Sequence, residues 1–294
     1  MRLRSLLIVP GDEPDRFDKA AASGADALIL DLEELVAPAR KSFARGVVRE
    51  YLESPRTMLL FVRVNSLESE WLDDDLAAIL TGKPDGLILP HADGASSVKQ
   101  LIGRAGIPLP PILPVAIETP AAVLGNWPMV ANGLAGLAWH VSSYEAAIRC
   151  LSSNGTSGAD IALYDRARAL LLFAARSAAV PAIDIGLPQD VAKDTFEAYV
   201  SAASRDGFDG MMTSHPGQIE TINAIFTPSH EELAWAEAIV LAFSSAQGFD
   251  ALTLEGERIN RRHLATAQRM LGLKADPISQ DGQTLDFNEP MGIA

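Results

Sequence analysis

Carboxylates, one arginine and a few histidines stand where short apolar runs of this chain end. Residues 27–32 lead into Asp31, Glu33 and Glu34, residues 58–64 carry Arg63 and run into Asn65, and residues 86–90 stop at His91. The run ILPVAIET, residues 112–119, ends in Glu118 before Pro120. Later runs close on Ser142 and Ser143, hold Asp184, or finish in Ser214 and His215. A strand buried on both faces first meets solvent at its last residue, so these endings together form a candidate rim. Hard divalent cations take oxygen ligands, and a guanidinium grips a carboxylate through two parallel hydrogen bonds. Several acids around one arginine therefore suit a magnesium-type ion with a small anionic substrate. Such an ion polarises the carbonyl of a keto acid, so that a carbanion adds to it or leaves it.

Each of these residues also has a plainer reading. Asp31, Glu33 and Glu34 can be a solvated turn with a helix cap. Arg63, flanked by Val62 and Val64, is costly to bury without an anion, and a structural acid would satisfy it as well as a substrate. His91 and His140 lack HxxxH spacing and fit framework hydrogen bonding better than metal ligation. Trp127, Trp139 and Phe173 read as core. No GxSxG elbow surrounds Ser142-Ser143, which suits a helix cap better than a nucleophile. The single Cys150 excludes an intrachain disulfide framework and reads as a small packing residue in a reducing cytoplasm.

What must position the rim is an alternation of strands and helices. Strands are predicted at 5–10, 27–32, 58–64, 86–90, 112–119, 136–141, 181–185 and 208–213, with helices at 39–52, 71–80, 95–102, 164–178 and 190–204 among them. Eight such units predict an α/β fold, a (β/α)8 TIM barrel, whose site lies at the carboxyl ends of the strands. The rival doubly wound sheet would place a GxGxxG turn after its first strand, where this chain has Pro10-Gly11-Asp12. The barrel is expected over residues 1–226. A helical extension over 227–275, covering the site or reaching a neighbouring subunit, and an aperiodic tail over 276–294 complete the organisation. The extension holds predicted helices at 231–245 and 261–271 and an extended segment at 248–254.

Composition agrees with a globular enzyme-sized chain: 294 residues, 48% hydrophobic and 21% charged. A net charge of -14, from 38 acidic and 24 basic residues, opposes attraction to nucleic acid or anionic lipid, so neither partner is expected. No apolar run approaches the roughly 20 residues of a membrane span, and MRLRSLLIVPGDEP is too short in its apolar part for a signal peptide.

Taken in order, RSLLIVPGDEPDRFDKAAASGADALILDLEE, FVRVN, PDGLILP, PVAIET, PAID, GFDGMMTSHPGQIETINAIFTPS and LTLEGERINRRHLATAQRML span most of residues 4–271. Together they resemble the citrate lyase beta-subunit-like family of the HpcH/HpaI aldolase superfamily, with its malyl-CoA and citramalyl-CoA lyases. The resemblance implies a (β/α)8 barrel and a homo-oligomer, trimeric or hexameric, whose carboxyl-terminal segment reaches an adjacent subunit. It also implies that Arg63 holds the substrate carboxylate, that Glu118 ligates magnesium, that Glu33 and Glu34 hold metal-bound water, and that Arg4 lies towards an acyl-CoA entrance.

Several positions depart from the family pattern. A GAEDL-like sequence whose Asp ligates the metal is replaced here by residues 140–144, leaving Ser143 at the ligand position beside Ser142 as a substrate-side hydroxyl. A neutral hydroxyl is the poorer ligand, so magnesium affinity should fall. Asn260 stands where the family has a catalytic Asp, and an amide is no general base. The implied second acid of the Glu33 pair is normally Asp, not Glu34, and Lys is common where His91 and Met211 stand. The resulting expectation is a divergent carbon–carbon lyase on a 3-hydroxyacyl-CoA or related hydroxy acid, working through a metal-stabilised enolate. The alternatives are a CoA thioester hydrolase on the same scaffold and a non-catalytic ligand-binding member.

Overall fold

The computed structural model describes residues 2–116, 121–122, 125–140, 162–246 and 249–273. Glu118, Ser142, Ser143 and Cys150 lie outside these residues. The chain divides into two compact units, Leu3–Phe226 and, with the first two residues, Thr227–Ala294.

In the larger unit eight parallel strands lie side by side: β1 (Ser5–Pro10), β2 (Ala27–Asp31), β3 (Leu59–Arg63), β4 (Gly86–Leu89), β5 (Ile112–Pro114), β6 (Leu137–Ala138), β7 (Ala182–Ile185) and β8 (Gly210–Thr213). Their spatial order is β5-β4-β3-β2-β1-β8-β7-β6. The two ends of that order meet through parallel bridges, Ile112 with Leu134 and Val115 with Ala138. The Ala116 N–H donates to the Ala138 carbonyl at 2.6 Å. The sheet thus curls into a nearly closed barrel, as the alternation predicts. Around it run α1 (Phe17–Ala21), α2 (Lys41–Glu53), α3 (Leu72–Ile79), α4 (Ala95–Ala105), α5 (Ala162–Ser177), α6 (Lys193–Asp206) and α7 (Ile219–Ile225).

Strand side chains alternate between the two sides of a sheet, so a barrel has an inner and an outer core. Leu6, Ala27, Ile29, Phe61, Ile88, Leu113, Ile183 and Met212 fill the inside. Their neighbours Leu7, Leu28, Leu30, Leu60, Val62, Leu87 and Met211 pack outward under the helices. This alternation decides which strand-end side chains face the barrel mouth. Asp31 follows Ile29, and Arg63 follows Phe61, by two residues, so both continue the inner row.

Phe173, expected in the core, is 73% exposed on α5. The buried stripe of that helix is Ala167, Leu171 and Ala175, each four residues from the next, and Phe173 falls off it. Trp127 and Trp139 are buried, as read from the sequence.

The smaller unit holds α8 (His230–Ser245), the hairpin β9 (Ala251–Leu254) and β10 (Glu257–Asn260), and α9 (Arg261–Met270). Ile239, Phe243, Ile259 and Leu264 form its core. The sequence reading misses β10. Its signal is the two-residue turn Glu255-Gly256, both at positive φ (51° and 88°), the geometry of the tightest antiparallel hairpin.

Gly210 opens β8 against the chain entering β1. A Cβ there would stand 1.9 Å from the Leu3 carbonyl oxygen, a backbone atom that no rotamer change can move. Gly210→Ala is expected to destabilise the barrel by about 2–3 kcal/mol, measured as a fall in the denaturant midpoint, whereas Gly46→Ala, with open space around it, is not.

Candidate functional site

At the carboxyl ends of β2 and β3, Asp31 and Arg63 are register partners on adjacent strands. Arg63 Nε donates to Asp31 Oδ1 at 2.6 Å and Nη2 to Asp31 Oδ2 at 2.9 Å, a two-pronged pair. Asp31 is fully buried and Arg63 nearly so. The acid has further donors, the N–H groups of Glu33 and Leu35, at 2.9 and 2.7 Å. Burial alone would discourage charge on Arg63. Asp31 first, then Glu33 and Glu34, outweigh that penalty and push its pKa up, so the guanidinium stays charged. The third nitrogen, Nη1, lies 3.5 Å from both Glu33 Oε2 and Glu34 Oε2.

The turn carrying those two glutamates is clamped from below. Buried Lys41, in the first turn of α2, donates to the carbonyls of Leu32 and Glu33 and to Asn65 Oδ1, each at 2.7 Å. Asn65 donates from its backbone N–H and from Nδ2 to Asp75 Oδ2, and Arg45 Nε reaches Asp75 Oδ1 at 3.0 Å. A chain of buried charges therefore runs from α3 through β3 to the turn after β2. Burial lowers the Lys41 pKa, the acids around it opposing the shift, and burial raises that of Asp75. Of this chain the sequence reading names only Asn65. A lysine beginning a helix looks solvated, and only the three carbonyl-type acceptors around it reveal otherwise.

His91 follows β4 in the left-handed region (φ 52°), and its Nε2 stands 3.7 Å from Glu33 Oε1. Burial works to raise the Glu33 pKa, but His91 and Arg63 prevail and hold it below the ordinary 4.5. Glu34 is nearly half exposed. With Arg63, His140, Ser214 and His215 it lines a cavity of about 480 Å³, walled otherwise largely by Ile8, Leu35, Ile88, Val115, Ile185 and Met212. Glu33 and Glu34 bring two carboxylate oxygens to 3.5 Å from Arg63 Nη1, and carboxylate oxygen is the donor type magnesium takes. Among the described residues no group of three His, Cys, Asp or Glu forms a metal cage by itself.

Three other expected site residues, Asp184, Arg4 and Asn260, have hydrogen-bond partners of their own. Asp184 is not on the inner rim. Ile183 points inward on β7, so Asp184 points outward, where it accepts from Trp139 Nε1 at 2.8 Å and from Arg168 Nη2 of α5 at 2.8 Å. Burial raises its pKa against the pull of Arg168. Arg4 precedes β1, at the amino end of the barrel. It grips Asp26 through Nε at 2.9 Å and Nη2 at 2.5 Å, so it stands at the opposite end from Arg63. Asn260 caps α9, its Oδ1 accepting from the N–H groups of Arg262 and His263 at 3.0 and 3.4 Å. Glu118, Ser142 and Ser143 belong to the undescribed residues.

A depressed carboxylate pKa stabilises the fold at pH values above the ordinary value, and that contribution disappears as pH falls through the depressed one. The stability advantage of the native chain over Glu33→Gln is therefore expected to be full above pH 4.5 and to shrink below it, read from urea unfolding at stepped pH.

Comparison with known proteins agrees with this architecture. Residues 4–216 match the family model for HpcH/HpaI aldolase/citrate lyase. The citrate lyase subunit beta-like protein of Mycobacterium tuberculosis is 32% identical over 276 residues, 93% of this chain and 96% of that protein. The (3S)-malyl-CoA thioesterase of Cereibacter sphaeroides is 29% identical over 288 residues, 95% of this chain and 96% of its own length. Among solved structures, CitE from M. tuberculosis in complex with magnesium, acetoacetate and coenzyme A superposes with a TM-score of 0.69 at 30% identity, covering 92% of this chain and 97% of that one. The match along most of the chain and the barrel with its arginine-bearing rim lead to one conclusion: the chain belongs to the HpcH/HpaI aldolase/citrate lyase family.

Proposed function

We propose that this chain is a divergent carbon–carbon lyase of the citrate lyase beta type, acting on a 3-hydroxyacyl-CoA or a related hydroxy acid. One observation carries the reading. Arg63, kept charged and oriented by Asp31, turns its remaining nitrogen towards two carboxylates at a largely apolar cavity. In this reading the substrate carboxylate sits on Arg63 and the acyl portion lies along the apolar wall. Magnesium, when bound, would be held by Glu118 and the hydroxyl of Ser143, with Glu33 and Glu34 reaching it through water, and would polarise the oxygen of the oxo acid. In the cleavage direction, Glu34 takes the proton of the substrate hydroxyl as the carbon–carbon bond breaks. The electrons of that bond pass to the acyl carbon, to which a proton then returns. The products are an oxo acid and an acyl-CoA. A cytoplasmic location and a homotrimer or hexamer, with residues 227–275 serving a neighbouring subunit, belong to the same reading.

Support comes from the relatives. CitE of M. tuberculosis has been crystallised with magnesium, acetoacetate and coenzyme A. A second reading, thioester hydrolysis on the same cavity, is favoured by the relatives named (3S)-malyl-CoA thioesterase. Product analysis with malyl-CoA and citramalyl-CoA in the presence of magnesium separates the two. An oxo acid with an acyl-CoA is the expected result; free CoA without an oxo acid means hydrolysis, and no turnover contradicts both and leaves a binding protein.

Restoring a carboxylate at the weakened ligand position should strengthen the metal site. Ser143→Asp is expected to tighten magnesium binding about tenfold in titration calorimetry, an unchanged affinity speaking against residue 143 as a ligand.

A further inference from the structure

The carboxylate position on Arg63 is already occupied, and by the chain itself. Asp31 takes Nε and Nη2 at hydrogen-bond distance, which leaves Nη1 for an incoming anion. Glu33 and Glu34 hold that nitrogen at 3.5 Å, too long for a good hydrogen bond, so the hold is mainly Coulombic and exchangeable. The two acids are not equivalent. Glu33 is the more buried of the two, tied to His91, and its backbone carbonyl is fixed by Lys41. Glu34 is 47% exposed and lines the cavity beside Arg63. Charge counting points the same way. Arg63 alone already faces three acids, Asp31, Glu33 and Glu34, so a further carboxylate joins a crowded anionic set.

We propose that Glu34 is an internal competitor for the substrate carboxylate: it rests on Arg63 Nη1 and must release that nitrogen, while staying at the cavity, when a small acid binds. This makes Glu34 a specificity-determining residue. Ligands that bring a strong, planar carboxylate to Nη1 displace it, and neutral ligands do not. The inference rests on the reading of Arg63 as the carboxylate holder, and it adds that affinity for the acid is set partly by a side chain that opposes it. Half-exposed ion pairs are weak, so the competition is modest, about two- to fivefold in affinity.

Titration calorimetry of oxalate, in metal-free buffer and again with magnesium, into the full-length native protein, Glu34→Gln, Glu34→Asp and Glu33→Gln tests it. Expected in metal-free buffer is a Glu34→Gln affinity about two- to fivefold tighter than native, with Glu34→Asp between the two because its shorter reach loosens the hold on Nη1. Glu33→Gln should gain less than Glu34→Gln. Unchanged or weaker binding in Glu34→Gln overturns the proposal, as does an equal gain in Glu33→Gln, which would mean general charge relief. Absence of oxalate binding in all four proteins, with magnesium too, would instead contradict Arg63 as carboxylate holder, and the competitor role would fall with it.

Discussion

The pairing of Asp31 with Arg63 is the constraint on which the site depends. An arginine guanidinium cannot shed its proton, so once strand β3 carries it into the barrel mouth the chain must supply an anion there. Register supplies it: residues 31 and 63 are aligned partners on neighbouring parallel strands, both on the inner side. Removing one member of such a buried pair leaves the other uncompensated, at a cost of about 3–5 kcal/mol. The pair is therefore fixed, and what remains adjustable is the nitrogen it leaves over.

Around this fixed pair the structure arranges two levels of support. Lys41, Asn65, Asp75 and Arg45 link α2, β3 and α3 to the turn after β2, so the backbone bearing Glu33 and Glu34 is held by side chains rooted in three elements. On the far side of the barrel, Asp184, Arg168 and Trp139 tie β7 to α5 and to the end of β6. Both networks are polar and largely buried, and Trp139 and Arg168 of the second line the cavity. Against that buried frame Glu34 is the acid on Arg63 left nearly half exposed.

Much of this is legible in the sequence, for reasons that can be named. Alternating apolar runs and amphipathic stretches report the barrel because burial on both faces of a strand leaves few compositional choices. An arginine between two valines announces its need for an anion. Which acid answers is not legible, since that depends on register across strands 32 residues apart. Parity explains the misplaced Asp184: a strand whose boundary is uncertain by one residue offers either face, and here Ile183 takes the inside. Phe173 fails for a similar reason, since aromatic identity argues for burial while helical phase puts it outside. Lys41 goes unread because nothing in its neighbours marks a lysine as buried. Arg4 has the right type for a ligand contact, but its position before β1 places it at the amino end, with Asp26.

The central claim is that Arg63, held by Asp31, receives a small carboxylate at the barrel mouth with magnesium beside it. Its most direct test is a crystal structure of the chain grown with magnesium and oxalate. The account predicts an oxalate oxygen within hydrogen-bond distance of Arg63 Nη1, Asp31 still on Nε and Nη2, and the metal bound by Glu118. Oxalate bound away from Arg63, or a metal held with no contribution from Glu118, would contradict it.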